Sequence, residues 1–159
     1  MIDRELVGAV RETAHRGRDD LLSAGLGLDG LRAKPPKFAE AAHPTADELR
    51  RRAIHASWAG IADLGPLGGY GVVYGGAPSV PGREFGAFAT LPHARADTRT
   101  GKRASHRVLA QIPDAFDAKA RCLVVAPSSG SRGVYGAISF AGAWALPRGC
   151  AVVYTDKGT

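Results

Sequence analysis

The chain has 159 residues, 45% hydrophobic and 23% charged, with a formal net charge of +6. These proportions place it among soluble globular proteins. No run approaches the roughly 18 to 20 apolar residues needed to span a bilayer, so no membrane partner is expected. The charged opening Met1-Ile2-Asp3-Arg4-Glu5 leads into no apolar stretch of signal-peptide length, so no export signal is visible and localisation stays open.

In chain order, residues 1–18 are polar with weak helical periodicity and are expected to fray or pack loosely. Asp19 to Leu31 (DDLLSAGLGLDGL) is apolar but broken by three glycines, which predicts a turn-rich loop docking its leucines. A helix is predicted from Thr45, where Thr45-Ala46-Asp47-Glu48 forms a capping box. Leu49, Ala53 and Ala56 mark one side of it, with Ile54 and Trp58 beside them. The Arg50-Arg51-Arg52 run reads as a solvated face. The organisation is an N-terminal loop-and-helix extension (1–64), a Gly/Pro-rich connection (65–83) and an α/β portion (84–159). The connection is irregular, with a short strand expected at Tyr70 to Tyr74.

Two strands follow, Glu84 to Leu91 and Arg107 to Ile112, joined by a polar hairpin with Thr100-Gly101-Lys102 near its tip. Arg95, Arg99, Lys102, Arg103 and Arg107 make the best candidate for a basic binding module. No aromatic residue interleaves with them to stack bases, so a solvated loop is the expectation and no nucleic-acid partner is assigned.

Residues 121–159 carry the chemistry. Cys122 to Ala126 is a short apolar run, expected as a strand buried on both faces. Ser128-Ser129-Gly130-Ser131-Arg132-Gly133 is a loop of small residues. It leads into an apolar helix (Val134 to Leu146), stopped by Pro147 and Gly149. Cys150 to Tyr154 is a second strand, so the two strands should be parallel. The helix, apolar nearly all round, should be deeply covered.

A loop at the carboxyl end of such a strand suits an oxyanion or a phosphate. Three readings stay open. Ser129, Gly130, Ser131 and Arg132 form the oxyanion loop after the third strand of an α/β-hydrolase, with the nucleophile farther along. Alternatively Ser131 is itself the nucleophile, although no acid and His follow it. Or the unit is a Rossmann-type nucleotide-binding crossover with Asp156 on a ribose, although its glycines miss the fingerprint. Cys122 and Cys150 are too far apart for a CxxC knuckle, and the residues alone suggest two buried free thiols. Neither a metal site nor a cofactor is expected.

The wording of DDLLSAGLGLDGL, HPTADELRRRAI, GGYG at Gly68 to Gly71, and above all APSSGSRGVYGAI with RGCAVVYTDKGT resembles the D-(−)-3-hydroxybutyrate oligomer hydrolases. The likeness runs with gaps from Asp19 to Thr159; Ala77 to His106 does not share it. The resemblance implies a serine esterase that cuts 3-hydroxybutyrate dimers and short oligomers during polyhydroxybutyrate breakdown. It implies the N-terminal portion of an α/β-hydrolase sheet, truncated after about the fourth strand. The nucleophile would then lie beyond Thr159, the rest of the hydrolase would be missing, and the chain would be inactive alone. Such enzymes are described as secreted. The third and fourth strands are neighbours in that fold, so Cys122 and Cys150, at their starts, come within reach of a disulfide. Arg132 becomes a candidate to hold the substrate carboxylate.

Overall fold

The computed structural model describes residues 7–59, 64, 79–90, 99, 101, 105–128 and 132–156. Five strands form one mixed sheet: β1 (Arg11–His15), β2 (Gly82–Thr90), β3 (Ser105–Pro113), β4 (Leu123–Pro127) and β5 (Ala151–Thr155). Their spatial order is β1-β2-β3-β5-β4. The pairs β1–β2, β2–β3 and β3–β5 are antiparallel, and β4–β5 is parallel in the register Leu123↔Ala151 to Pro127↔Thr155. The hairpin β2–β3 and the parallel unit β4–β5 thus follow the sequence pattern. The strand expected at Tyr70 to Tyr74 and most of the basic hairpin tip lie outside the described residues.

The N-terminal segment departs from expectation. Residues 11–15 do not fray; they add an edge strand in which Thr13 pairs with Glu84 and His15 with Gly82. Asp19 to Leu31 is turn-rich up to Gly25 and then forms one short helix, α1 (Gly27–Arg32), with Leu21, Leu22 and Leu31 fully buried. The Asp20 carboxylate organises the turns by accepting from the backbone amides of Leu22, Ser23 and Gly25 and from the Ser23 hydroxyl.

Helix α2 (Ala46–Ala59) starts at the capping box. The Glu48 amide donates to Thr45 Oγ1 (3.3 Å), and Glu48 Oε2 accepts from the Thr45 amide (2.8 Å). Its inward face is Ile54, His55, Ser57 and Trp58, while Leu49, Ala53 and Ala56 point outward. The helix has turned by about a residue from the stripe that the alanines suggested. Trp58 explains the rotation: its ring fills the core and its indole N–H donates to the Leu22 carbonyl at 2.9 Å, a partner a buried indole requires.

The predicted crossover helix begins later than Val134. Residues 132–137 form turns, with Gly133 in the left-handed region. A π-helical turn (Ile138–Gly142), a single α-turn α3 (Ala143–Ala145) and a 3-10 turn (Leu146–Arg148) follow. Gly149, at φ +74°, ends it. Gly142 is where this segment crosses β5: a side chain there would overlap the Tyr154 hydroxyl and Leu22.

One face of the sheet carries the core, built on Leu109, Ala126, Val152 and Tyr154 beneath Leu21, Leu22, Trp58, Ile138 and Leu146. Two burial expectations fail. Leu123 and Val125 of β4 are 59% and 64% exposed, because they alternate onto the sheet face opposite the core, which none of the described segments covers there. Phe140 and Trp144 point away from the core on the crossover segment and are about half exposed.

Cys122 and Cys150 are a disulfide pair, not free thiols, with Cα atoms 4.7 Å apart. Each immediately precedes the first register pair of the parallel strands. A cross-link spanning 28 residues should stabilise by about 3 to 4 kcal/mol through loop closure. The Cys122→Ser, Cys150→Ser double variant should therefore lose that amount in chemical denaturation, and reduction of the parent should match it. Indistinguishable midpoints for parent and variant would show that the bond does not constrain the fold.

Candidate active site

Strand alternation puts Glu84 of β2 and Gln111 of β3 directly opposite each other on the core-facing side. A buried carboxylate costs several kcal/mol unless compensated, and here four side chains compensate it. Arg50 of α2 grips Glu84 bidentately (Nε–Oε2 3.1 Å, Nη2–Oε1 2.9 Å) and donates to Asp19 Oδ1 at 3.0 Å. Gln111 Nε2 donates to Glu84 Oε1 at 2.8 Å, and the Tyr135 hydroxyl donates to Oε2 at 2.9 Å. The His15 ring closes the set, with Nδ1 on Asp19 Oδ2 at 2.6 Å and Nε2 3.2 Å from Glu84 Oε2. The second contact is an ion pair without hydrogen-bond alignment. Gln111 Oε1 accepts from the Tyr154 hydroxyl, which extends the network to β5.

These contacts set the protonation states. Burial opposes a charged Glu84, but His15 and Arg50 outweigh it and hold its pKa at about 2. Burial likewise opposes a charged His15, and the Glu84 and Asp19 carboxylates overcome it, so the imidazolium is favoured and its pKa is raised. The Tyr135 hydroxyl is pushed up, first by burial and then by Glu84, and stays a donor.

The network closes the floor of a groove of about 840 Å³ lying on β1–β3 between α2 and the turn Arg132 to Tyr135. That volume is within the roughly 300 to 1,000 Å³ typical of small-molecule sites. Leu49 and Phe88 stand half exposed on its walls, and Arg11, Arg107 and Arg132 line it.

Of the residues singled out from sequence, Ser129, Gly130 and Ser131 lie outside the described residues. Their flanks are placed. Ser128 follows β4 and donates its amide to the Thr155 carbonyl at 2.7 Å; its buried hydroxyl has no hydrogen-bond partner among the described residues. Arg132 is exposed, lines the groove and places Nη1 3.5 Å from the Ala56 carbonyl of α2. Asp156, the ribose candidate, instead locks the end of the β3–β5 ladder: its Oδ1 accepts from the Arg107 amide at 2.8 Å, and its own amide donates to the Arg107 carbonyl.

The solvated-face reading of the arginine run also fails. Arg50 is the network's cation, Arg51 donates to the Ala24 carbonyl, and Arg52 stacks over Phe38. Arg50 shares the helix face of Ile54 and Trp58 at i+4 and i+8, a spacing visible in the sequence. Glu84 and Gln111 were equally visible as polar residues at inward strand positions.

The family model described as 3HB-oligomer hydrolase matches residues 3–159. The chain belongs to the 3HB-oligomer hydrolase family. It is 49% identical over 152 residues to the D-(-)-3-hydroxybutyrate oligomer hydrolase of Cupriavidus metallidurans, covering 89% of this chain and 20% of that protein. Identities to the Burkholderia vietnamiensis and Burkholderia ambifaria proteins of the same name are 48% and 45%, each covering 95% of this chain and 22% of the relative. The chain thus spans about a fifth of the length of the curated relatives it matches. No solved structure matches it.

The pH dependence of stability follows from the two shifted groups. Glu84, with its folded pKa lowered from 4.5 to about 2, contributes stability that is full above 4.5 and lost as pH falls toward 2. His15, with its pKa raised above 6.5, contributes stability that is full below 6.5 and lost as pH rises through its folded value. Denaturation midpoints from pH 2 to 9 should therefore peak between about 4.5 and 6.5. In Glu84→Gln the peak should flatten, and stability at its centre should drop by about 3 to 5 kcal/mol as two buried cations lose their main anion. A flat profile in the parent protein would remove the network from the stability account.

Proposed function

We propose that this chain is the N-terminal part of a serine-type esterase of α/β-hydrolase architecture that hydrolyses 3-hydroxybutyrate dimers and short oligomers to the monomer. The observation that carries this reading is the position of the β4 exit. Ser128 stands at the carboxyl end of a strand in a parallel pair, and Arg132 lines the wall of the groove. Backbone amides between these residues would stabilise the oxyanion of the tetrahedral intermediate, each donor contributing roughly 2.7 to 4 kcal/mol. Arg132, which lines the groove, is the candidate to hold a substrate carboxylate. The nucleophilic serine, its His base and the acidic partner are assigned to the family-length protein outside these 159 residues. The disulfide favours an oxidising compartment, consistent with an exported enzyme.

The test is a graft. Placed over the matching segment of the Burkholderia ambifaria hydrolase, this chain should support release of 3-hydroxybutyrate from the dimer, while the isolated chain should show no turnover. In the graft, Ser131→Ala should change kcat by less than about tenfold. A fall of 10⁴ or more, together with loss of labelling by a fluorophosphonate, would make Ser131 the nucleophile and overturn the assignment.

A further inference from the structure

The sheet has a second face, opposite the core, and the strand register shows what stands on it. Val125 of β4 pairs with Val153 of β5, Val153 with Ala110 of β3, Ala110 with Phe85 of β2, and Phe85 with Glu12 of β1. This row crosses all five strands, apolar over four of them and charged only at the last. At the β1 end the Glu12–Arg83 ion pair (3.3 Å) gives the face a polar border, with the Arg83 guanidinium also over the Phe85 ring. The β4 end is the reverse. Leu123 and Val125 are more than half exposed there, and no ionisable side chain stands on this face of β4 or β5.

The strand edge is a separate observation on the same element. β4 ends the spatial order and pairs only with β5 among the described strands, so its other edge has no ladder partner there. Edges that meet water are normally blunted by a charge, an internal proline or a bulge. Leu123-Val124-Val125-Ala126 has no charge and no proline before Pro127 at its end. A parallel pair such as β4–β5 occurs almost only where both of its faces are covered. An apolar face and an unblunted edge therefore coincide on β4.

This chain spans about a fifth of the curated hydrolases that it matches, so about four fifths of a family-length protein is polypeptide outside the matched segment. A second copy of this chain is the poorer occupant. Two molecules of net charge +6 repel each other, and a five-residue strand offers only a short seam.

Resting on the reading of this chain as part of the family-length enzyme, we propose that the outer side of β4 is an internal docking surface. A segment of the family-length polypeptide outside the matched region pairs with the β4 edge and lays apolar side chains across Leu123, Val125 and Val153. The hydrophobic interior of the complete enzyme then continues past β4.

Val125→Cys tests this in two settings: the 159-residue protein alone, and the graft of this chain into the Burkholderia ambifaria hydrolase. The native cysteines are held in a disulfide, and peptide mapping identifies the modified thiol. Maleimide should modify the introduced thiol freely in the isolated protein and at least about thirtyfold more slowly in the folded graft. Val125→Lys is the second probe. It should leave the melting temperature of the isolated protein within about 2 °C and lower that of the graft by about 4 °C or more. Should the graft not fold, the matching position of the unaltered Burkholderia ambifaria hydrolase takes the same substitutions. Equal reactivity in the isolated protein and the folded long chain overturns the surface. Protection already present in the isolated protein and lost on dilution also overturns it, because a second copy is then the occupant. Release of 3-hydroxybutyrate from the dimer is measured on the same graft. Protection without turnover keeps the surface and overturns the esterase reading, while turnover with a freely reactive thiol does the opposite.

Discussion

A buried carboxylate governs this structure. Glu84 sits on the core side of the second strand, where an uncompensated charge would outweigh any plausible margin of stability for a domain of this size. Its compensation draws on four separate segments of the fold: His15 from the edge strand, Arg50 from the long helix, Gln111 from the neighbouring strand and Tyr135 from the turn that follows Arg132. Each of these segments is distant in sequence, and each is brought to one point by the same anion. The sheet, the helix and the groove wall are therefore set against one another by charge as well as by apolar packing. A hydrophobic core of interchangeable aliphatics tolerates small rotations, whereas a bidentate guanidinium–carboxylate contact fixes both distance and angle.

The same arrangement explains why a groove exists at all. Charged groups occupy the sheet face between β1 and β3, so α2 cannot lie flat on it with an aliphatic stripe. The helix approaches through Arg50 and Trp58 and leaves Leu49 and Ala53 facing the opening. Small residues at Gly86 and Thr13 keep the floor low. The hollow beside the β4 exit is thus a by-product of how the buried charge is accommodated, and it is a hollow with cationic edges.

Local patterns carried much of this fold into view from sequence. The hairpin β2–β3, the parallel pair β4–β5 and the capping box at Thr45 each depend on neighbours a few residues apart, and periodicity or spacing reveals them. The failures share a cause. Residues 11–15 carry no strong strand signal, because an edge strand held by one partner needs little apolar alternation; the pairing is supplied by β2. The Arg50-Arg51-Arg52 run looked solvated because composition describes average behaviour, while Arg50 answers to Glu84, 34 residues away. Phe140, Trp144, Leu123 and Val125 looked like core because apolar runs normally are, yet burial depends on which neighbouring surface is present to cover them. At the candidate site, Ser129 to Ser131 lie outside the described residues, and the groove was not legible in the sequence, since its walls come from residues 9–15, 46–53, 84–88, 107–109 and 132–135.

The disulfide acts at only one end of the parallel pair. Cys122 and Cys150 join the amino-terminal ends of β4 and β5, and the small-residue loop and Asp156 lie at the opposite, carboxyl ends. The two strands resemble a tuning fork held at the handle: the base is covalently joined, and the prongs are held by the hydrogen bonds of the ladder, by Asp156 on Arg107 and by core packing of Ala126 and Tyr154. Lengthening, shortening or rewriting the loop at the open end does not threaten the joint at the closed end. Changes at the mouth of the groove are therefore mechanically separate from the base of the strand pair.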